Sequence, residues 1–227
     1  MRDIHCHILP GVDDGAQDLN ESLAMLEAAK RVGVTSIVAT PHCRDPYFDF
    51  DAMWAAYREL VTHAGGFPIT MGFEVNWNKL QDLGEDEWAP RLGIQGPSFA
   101  GRGKATFLLE LSVDASSTQY GAYKQTIFNL QGMGFDVVIA HPERYVAIQH
   151  HIELARELKN MGCKLQASAD FVKGGRRLGH AKKPAKRMFK EGLYSYIASD
   201  AHYPEHYELL ARARRDYHVP GAHEKTT

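Results

Sequence analysis

The chain has 227 residues, 44% of them hydrophobic and 24% charged, with 26 Lys and Arg against 28 Asp and Glu for a formal net charge of -2. This size and balance suit one soluble domain, 1–227, with a full core, and they exclude a globally basic nucleic-acid binder, so any anion has to be held locally. No run of about 18 apolar residues marks a membrane-inserted helix, and no basic region followed by an apolar stretch opens the chain. Cys6, Cys43 and Cys163 are odd in number and widely spaced, which reads as reduced thiols in a cytoplasmic protein.

Arg2 to His7 reads as a strand, and alternation puts His5 and His7 on one face with Cys6 on the other. Two imidazoles on one face are half of a metal site. Leu9-Pro10-Gly11 turns the chain, and Asp13, Asp14 and Gly15 place carboxylates beside them. Asp18 or Asn20 can cap a helix that continues to Gly33. Val34 to Thr40 is a β-branched run that delivers Pro41-His42. Asp51 to His63 is helical in pattern, and Ile69 to Val75 is a third strand carrying Glu74. Residues 77–104 are irregular, rich in Gly, Pro and acid, and are expected to form a long active-site loop or a small helical excursion.

Thr106 to Leu111 is a strand carrying Glu110, Ala122 to Met133 a helix, and Phe135 to Ala140 a strand that ends at His141-Pro142-Glu143-Arg144. A helix over 152–161, a weaker strand over 164–169, a basic run over 173–187 and a helix over 184–191 follow. Tyr194 to Ala198 then presents Ser199-Asp200-Ala201-His202. Glu205 to Tyr217 closes as a helix, and 218–227 reads as a loose tail.

Seven strand-like runs separated mostly by helices argue for parallel β/α units. His42, Glu74, Glu110, His141, Asp200 and His202 fall at or near the C-terminal ends of those runs, where β/α barrels build their sites. With His5 and His7 they make five imidazoles and three carboxylates, too many for one tetrahedral ion and suited to two or three divalent ions about 3.5–4 Å apart. Nitrogen and oxygen donors without thiolate are compatible with Mn²⁺, Fe²⁺, Zn²⁺ or Co²⁺. Arg144 offers a planar fork that matches phosphate oxygens, the bland alternative being an ion pair with Glu143. Asp14 is either a ligand or water-orienting group, or simply a turn former.

The stretches DIHCHILPGVDDGAQDLNESLAML, ATPH, GFEV, LLEL, AHPERY and IASDAH together resemble the PHP (polymerase and histidinol phosphatase) superfamily. Within it the chain is similar to the metal-dependent protein tyrosine phosphatases of the CpsB/CapC type. The resemblance implies a distorted, TIM-like (β/α)7 barrel of the PHP type with a cluster of two or three metals, manganese favoured. It implies His5, His7, His42, Glu74, Glu110, His141, Asp200 and His202 as metal ligands and Arg144 as the phosphate-binding arginine. His42 or His202 could serve as proton donor, and the catalytic set is written as Arg144, His42 and Asp14. The implied substrate is a phosphotyrosine-bearing protein, the tail of a bacterial tyrosine kinase controlling capsule or exopolysaccharide synthesis; a homo-oligomer is left open.

Two alternatives stay beside this reading. Another PHP-type phosphoesterase would take a small phosphomonoester. A TatD or amidohydrolase-like metal hydrolase would use a strand lysine where this chain has Glu110. A thiol phosphatase would need Arg six positions after Cys, and Val12, Asp49 and Ala169 stand there instead.

Overall fold

The computed structural model describes residues 1–94, 105–173 and 179–219. The expected tail beyond 219 and the stretch 95–104 lie outside the described residues.

The first unit is β1 (Arg2–Cys6) followed by α1 (Leu19–Arg31). Asp18 caps α1 by accepting the Glu21 N–H at 2.9 Å, which satisfies one of the donors a helix start leaves unpaired. Met25, Leu26, Ala28 and Ala29 form its buried face. Beyond the helix, Gly33 takes φ 82, a conformation that costs glycine little.

The second expected strand ends short of Pro41 and is followed by a further short strand, and the third is broken in two. These are β2 (Ser36–Ala39) and β3 (His42–Cys43), then, after α2 (Phe50–His63), β4 (Ile69–Met71) and β5 (Glu74–Asn76). The first break falls at Pro41, which has no N–H for a ladder. The hydrogen bonds Gly72 N–H to Ala39 O (2.8 Å) and Glu74 N–H to Pro41 O (3.0 Å) carry the pairing across both breaks.

β6 (Thr106–Glu110), β7 (Asp136–Ala140), β8 (Lys164–Ser168) and β9 (Tyr196–Ala198) follow, with α5 (Tyr120–Gly132), α6 (Val146–His150), α7 (Glu153–Asn160) and α8 (Gly179–Lys190) between them and α9 (His206–Asp216) at the end. Strand orders are β1-β2-β4 and β3-β5-β6-β7-β8-β9, and every pairing is parallel. The chain beyond β9 returns to β1 through Asp200 N–H to His5 O (2.8 Å) and His7 N–H to Ala201 O (2.9 Å). The architecture is a mixed α/β fold with a curled parallel sheet.

Residues 77–92 form α3 (Trp77–Leu83) and α4 (Glu85–Leu92), so the described part of this excursion is a helical β/α connection. It ends by sending Ile94 to the N-terminal end of β6, where its N–H bonds Thr106 O at 2.8 Å.

Two apolar clusters divide the core. Ile37, Ala39, Phe107, Leu109, Val137, Ile139, Leu165, Ala167 and Ile197 face the helices in the larger one. Ile4, Val38, Ile94, Leu108, Val138, Ala140 and Ala198 fill the inside of the curl. Gly72 lies against the latter; a Cβ there would come 2.8 Å from Ile94 and 2.9 Å from Val38. No helix among the described residues is long and apolar enough to cross a membrane.

Candidate metal and phosphate site

In β1, Asp3 pairs with Ile37 and Cys6 with Ala39, so three steps on β1 match two on β2. That one-residue bulge lets Ile4 pack in the inner cluster while the next residue, His5, also turns inward. Cys6 faces the helices, its Sγ 3.0 Å from the Tyr207 hydroxyl. Gly15 passes so close to His7 that a Cβ would sit 2.1 Å from the His7 carbonyl oxygen, and this turn folds Asp13 and Asp14 back over the histidines.

All the expected ligands converge. His5 Nε2 lies 3.2 Å from His7 Nε2 and 3.3 Å from Glu74 Oε2. His7 Nε2 lies 3.2 Å from Asp200 Oδ1. His42 Nδ1 is 2.8 Å from Glu74 Oε2, and His141 Nε2 is 2.6 Å from Glu74 Oε1. Asp14 Oδ1 is 3.3 Å from His42 Nε2 and 3.4 Å from His202 Nε2. Three sets have donor atoms close enough to share an ion: His7, Asp14, His42 and His202; His5, His7 and Asp200; and His42, Glu74 and Glu110. His141 and Asp200 have φ 29 and 50, the positive values found among described non-glycine residues. Strain of this kind persists where surrounding structure enforces it.

The hydrogen-bond pattern tests whether metal fits. His5 Nδ1–H donates to Gln166 Oε1 (2.9 Å), His7 Nδ1–H to Asp13 Oδ2 (2.8 Å) and His202 Nδ1–H to the Asp200 carbonyl (3.0 Å). Each neutral ring therefore turns its Nε2 lone pair inward, toward other lone pairs and carboxylate oxygens. Acceptors facing acceptors require a cation between them, and outer partners that orient ligand imidazoles are the usual support of a metal site. Asp14 Oδ1 and Glu74 Oε2 are buried without a hydrogen-bond partner. Electrostatics agree. Burial pushes the Glu74 carboxyl up, but His5, His42 and the hydrogen bond from His141 hold it well below its usual range. Burial and His7 push the His42 imidazole down, yet Glu74 and Asp14 lift it to about 9. Without metal, the pocket draws protons onto its rings; the residues fit divalent ions.

Arg144 does not pair with Glu143. The buried Glu143 accepts the Ser168 N–H (2.8 Å) and the Tyr194 hydroxyl (2.8 Å). Arg144 Nη2 instead donates to Asp200 Oδ2 (2.6 Å), Asp170 Oδ2 (2.7 Å) and Ser168 Oγ (3.0 Å). Its Nε is buried without a partner, and the residue lines an open cavity.

Asp13, expected beside the histidines, orients His7. Other residues of the site escaped the reading of the sequence: Gln166 orients His5, Asn76 donates to Glu110 Oε2 (3.0 Å), and Arg44 lies 2.9 Å from His42 Nε2. Gln166 had a signal: it stands between Lys164 and Ser168 at period two, a polar row on a buried strand. Arg212 pairs loosely with Asp216 at 3.8 Å, half-exposed on α9.

A curled parallel β/α sheet that gathers imidazoles, carboxylates and one arginine at its strand ends defines a metal-dependent α/β protein built to hold an anion. Its lineage is narrower. The model of the family described as "Capsular polysaccharide synthesis, CpsB/CapC" matches residues 1–65 and 102–210, and the chain belongs to that family.

CapC of Staphylococcus aureus is 32% identical over 209 residues, 89% of this chain and 77% of that protein. The tyrosine-protein phosphatase YwqE of Bacillus subtilis is 31% identical over 211 residues, with the same shares. A solved structure from work on YwqE and on CpsB of Streptococcus pneumoniae, described as unique metal-dependent tyrosine phosphatases, superposes with TM-score 0.73 at 28% identity, covering 94% of this chain and 86% of that one.

Proposed function

We propose that the chain is a metal-dependent protein tyrosine phosphatase, and that its seven strand lanes are the distorted (β/α)7 barrel of the PHP type. The observation that carries the reading is the placement of Arg144, whose guanidinium is tied by Asp200 to the imidazole and carboxylate cluster and lines an open cavity beside it. The relatives named as tyrosine phosphatases support it.

His5, His7, His42, Glu74, Glu110, His141, Asp200 and His202 would hold the ions, with Asp14 completing the set at the rim. Divalent ions there supply activation of water and neutralisation of phosphoryl charge. The thiolate-free donor set admits Mn²⁺, Fe²⁺, Zn²⁺ or Co²⁺, and the family resemblance favours Mn²⁺. Arg144 binds nonbridging phosphate oxygens and stabilises their charge as the bond to the leaving oxygen lengthens. Asp170, Ser168 and Asp200 hold the guanidinium in place. Asp14 would share an ion with His42 and His202 or orient water beside it. The substrate is phosphotyrosine on a protein, with a bacterial tyrosine kinase of the capsule machinery as the partner. The three free, buried thiols fit a reducing cytoplasm.

The test is release of phosphate from p-nitrophenyl phosphate and a phosphotyrosine peptide, with Mn²⁺ or EDTA, in wild type and Arg144→Ala. The expected result is metal-dependent turnover that Arg144→Ala lowers at least about 100-fold. No turnover with any of the four metals would overturn the reading.

A further inference from the structure

A cavity of about 360 Å³ opens beside the metal site, lined by Val113, Arg144, Gln149, Ala181, Asp200 and His206, among others. That is within the range of roughly 300–1,000 Å³ common for small-molecule pockets. Arg144 and Asp200 form its inner end, next to the ligand cluster. The outer side is apolar. Val113 is 40% exposed, and Val146, whose N–H bonds the Val113 carbonyl at 3.0 Å, is 38% exposed. Tyr203 is 50% exposed and meets the His206 ring edge-on at 5.5 Å. Exposed apolar side chains grouped at a pocket mouth mark a surface made to be covered.

His206 is wired in the opposite sense to the ligand histidines. Its Nδ1 accepts the His202 backbone N–H at 3.2 Å, so in the neutral ring the proton is on Nε2. His5, His7 and His202 are fixed with Nδ1 as donor and Nε2 as acceptor. An Nε2 lone pair serves a metal; an Nε2–H serves a negatively charged oxygen. Of the other candidates, His42 faces Glu74 (2.8 Å) and Asp14 (3.3 Å) with its two nitrogens, inside the ligand cluster.

On the phosphatase reading this cavity receives the aryl group of the substrate, and we propose that His206, in its wall, donates a hydrogen bond from Nε2 to the leaving oxygen. The proposal rests on the phosphatase reading and adds the residue that receives the leaving oxygen. Water oxygen bonds to phosphorus, the bond between phosphorus and the aryl oxygen breaks, and its electron pair goes to that oxygen. The products are inorganic phosphate and the phenol, each carrying one proton of the water. His206 keeps its own proton and stabilises charge on the aryl oxygen during bond breaking, an interaction that matters more the more basic that oxygen is.

The experiment uses the Mn²⁺-loaded full chain. Wild type, His206→Phe and His206→Gln are compared on a phosphotyrosine peptide and on p-nitrophenyl phosphate, whose leaving oxygen is less basic than that of tyrosine. His206→Phe should lose about ten- to a hundredfold in kcat on the peptide and under about threefold on p-nitrophenyl phosphate. His206→Gln, which keeps an N–H donor, should lose less. Equal losses on both substrates, or none on either, would overturn the role of His206. Calorimetric titration with benzylphosphonate and methylphosphonate reads the subsite without turnover. The aryl ligand should bind at least about tenfold more tightly to wild type, and Ala181→Phe, which fills the cavity, should erase that preference. No aryl preference in wild type would overturn the subsite. If wild type turns over neither substrate, the phosphatase reading itself fails, and the two failures are distinguishable.

Discussion

The inside of the curled sheet has two layers made by the same strands, two residues apart. Lower down lie Val38, Gly72, Leu108 and Ala198, packed with Ile4, Val138 and Ile94. Two positions further along stand Thr40, Glu74, Glu110 and Asp200. Because side chains on one face of a strand recur at period two, Gly72, Leu108 and Ala198 give way to Glu74, Glu110 and Asp200 in a single step, whereas on β7 Val138 and Ala140 are both apolar. The lower layer is dry, apolar and plugged by Ile94. The upper layer is a set of buried donors and acceptors whose geometry makes sense around cations. Packing holds the first together, whereas the second imposes like charges and positive φ values that packing has to support.

The sharpest way to break this comparison is along β6. Leu108→Ala removes buried contacts in the lower layer and should cost about 2–5 kcal/mol in urea denaturation, while the enzyme that remains folded keeps its turnover within about threefold. Glu110→Gln acts in reverse. It retains an oxygen for Asn76 but loses a ligand charge, so kcat should fall at least about 100-fold. Its chemical denaturation in EDTA should stay within about 1 kcal/mol of wild type. If Leu108→Ala abolished activity at full folding, or Glu110→Gln unfolded the chain, the layers would not be separable.

Much of the upper layer was legible in the sequence, because ligand chemistry uses few residue types and strand ends are marked by β-branched runs. His5 with His7, Glu110 after TFLL and Asp200 after YIAS are each readable in this way. The lower layer was not. Nothing in the run RDIHC announces the bulge that turns both Ile4 and His5 inward, since local sequence does not state which ladder a strand will join. Ile94 comes from a connection whose apolar residue has a partner only once β2, β4 and β6 are assembled. Gln166 was hidden for a related reason, whereas Asp13, six residues from His7, was legible. A residue that orients a ligand is defined by a contact across the fold, as with His5 and Gln166, 161 residues apart. His206 looked like part of a surface helix until its Nδ1 was found on the His202 amide.

A smaller effect sharpens the lower layer. Gly72 is the one inner-face position among those four without a side chain, and Ile94 and Val38 fill the space. Gly72→Ala should cost about 1–3 kcal/mol through overpacking, and Ile94→Ala in the same chain should recover part of that loss. Additive losses in the double variant, measured by urea denaturation, would show that Ile94 does not close the base of the curl against Gly72.

The smallest expected effect lies outside both layers, where α4 meets α5. Glu85 accepts hydrogen bonds from Gln81 (2.9 Å), Thr126 (2.8 Å) and Asn129 (3.1 Å). Partial burial raises its carboxyl, but these three bonds outweigh it and hold the group below its ordinary value. A depressed folded value means that the ionised group contributes stability above its unfolded value of about 4.3, and that the contribution is lost as pH falls through the folded value. The group is only partly buried, so solvent screening keeps the contribution under about 1 kcal/mol. Glu85→Gln should therefore be slightly less stable than wild type at neutral pH, and the gap should narrow as the pH drops below about 4. A gap of constant size from neutral to acid would assign the effect to hydrogen-bond geometry and not to charge. In that case this surface would resemble the packed lower layer, where shape decides stability, more than the charged layer above it.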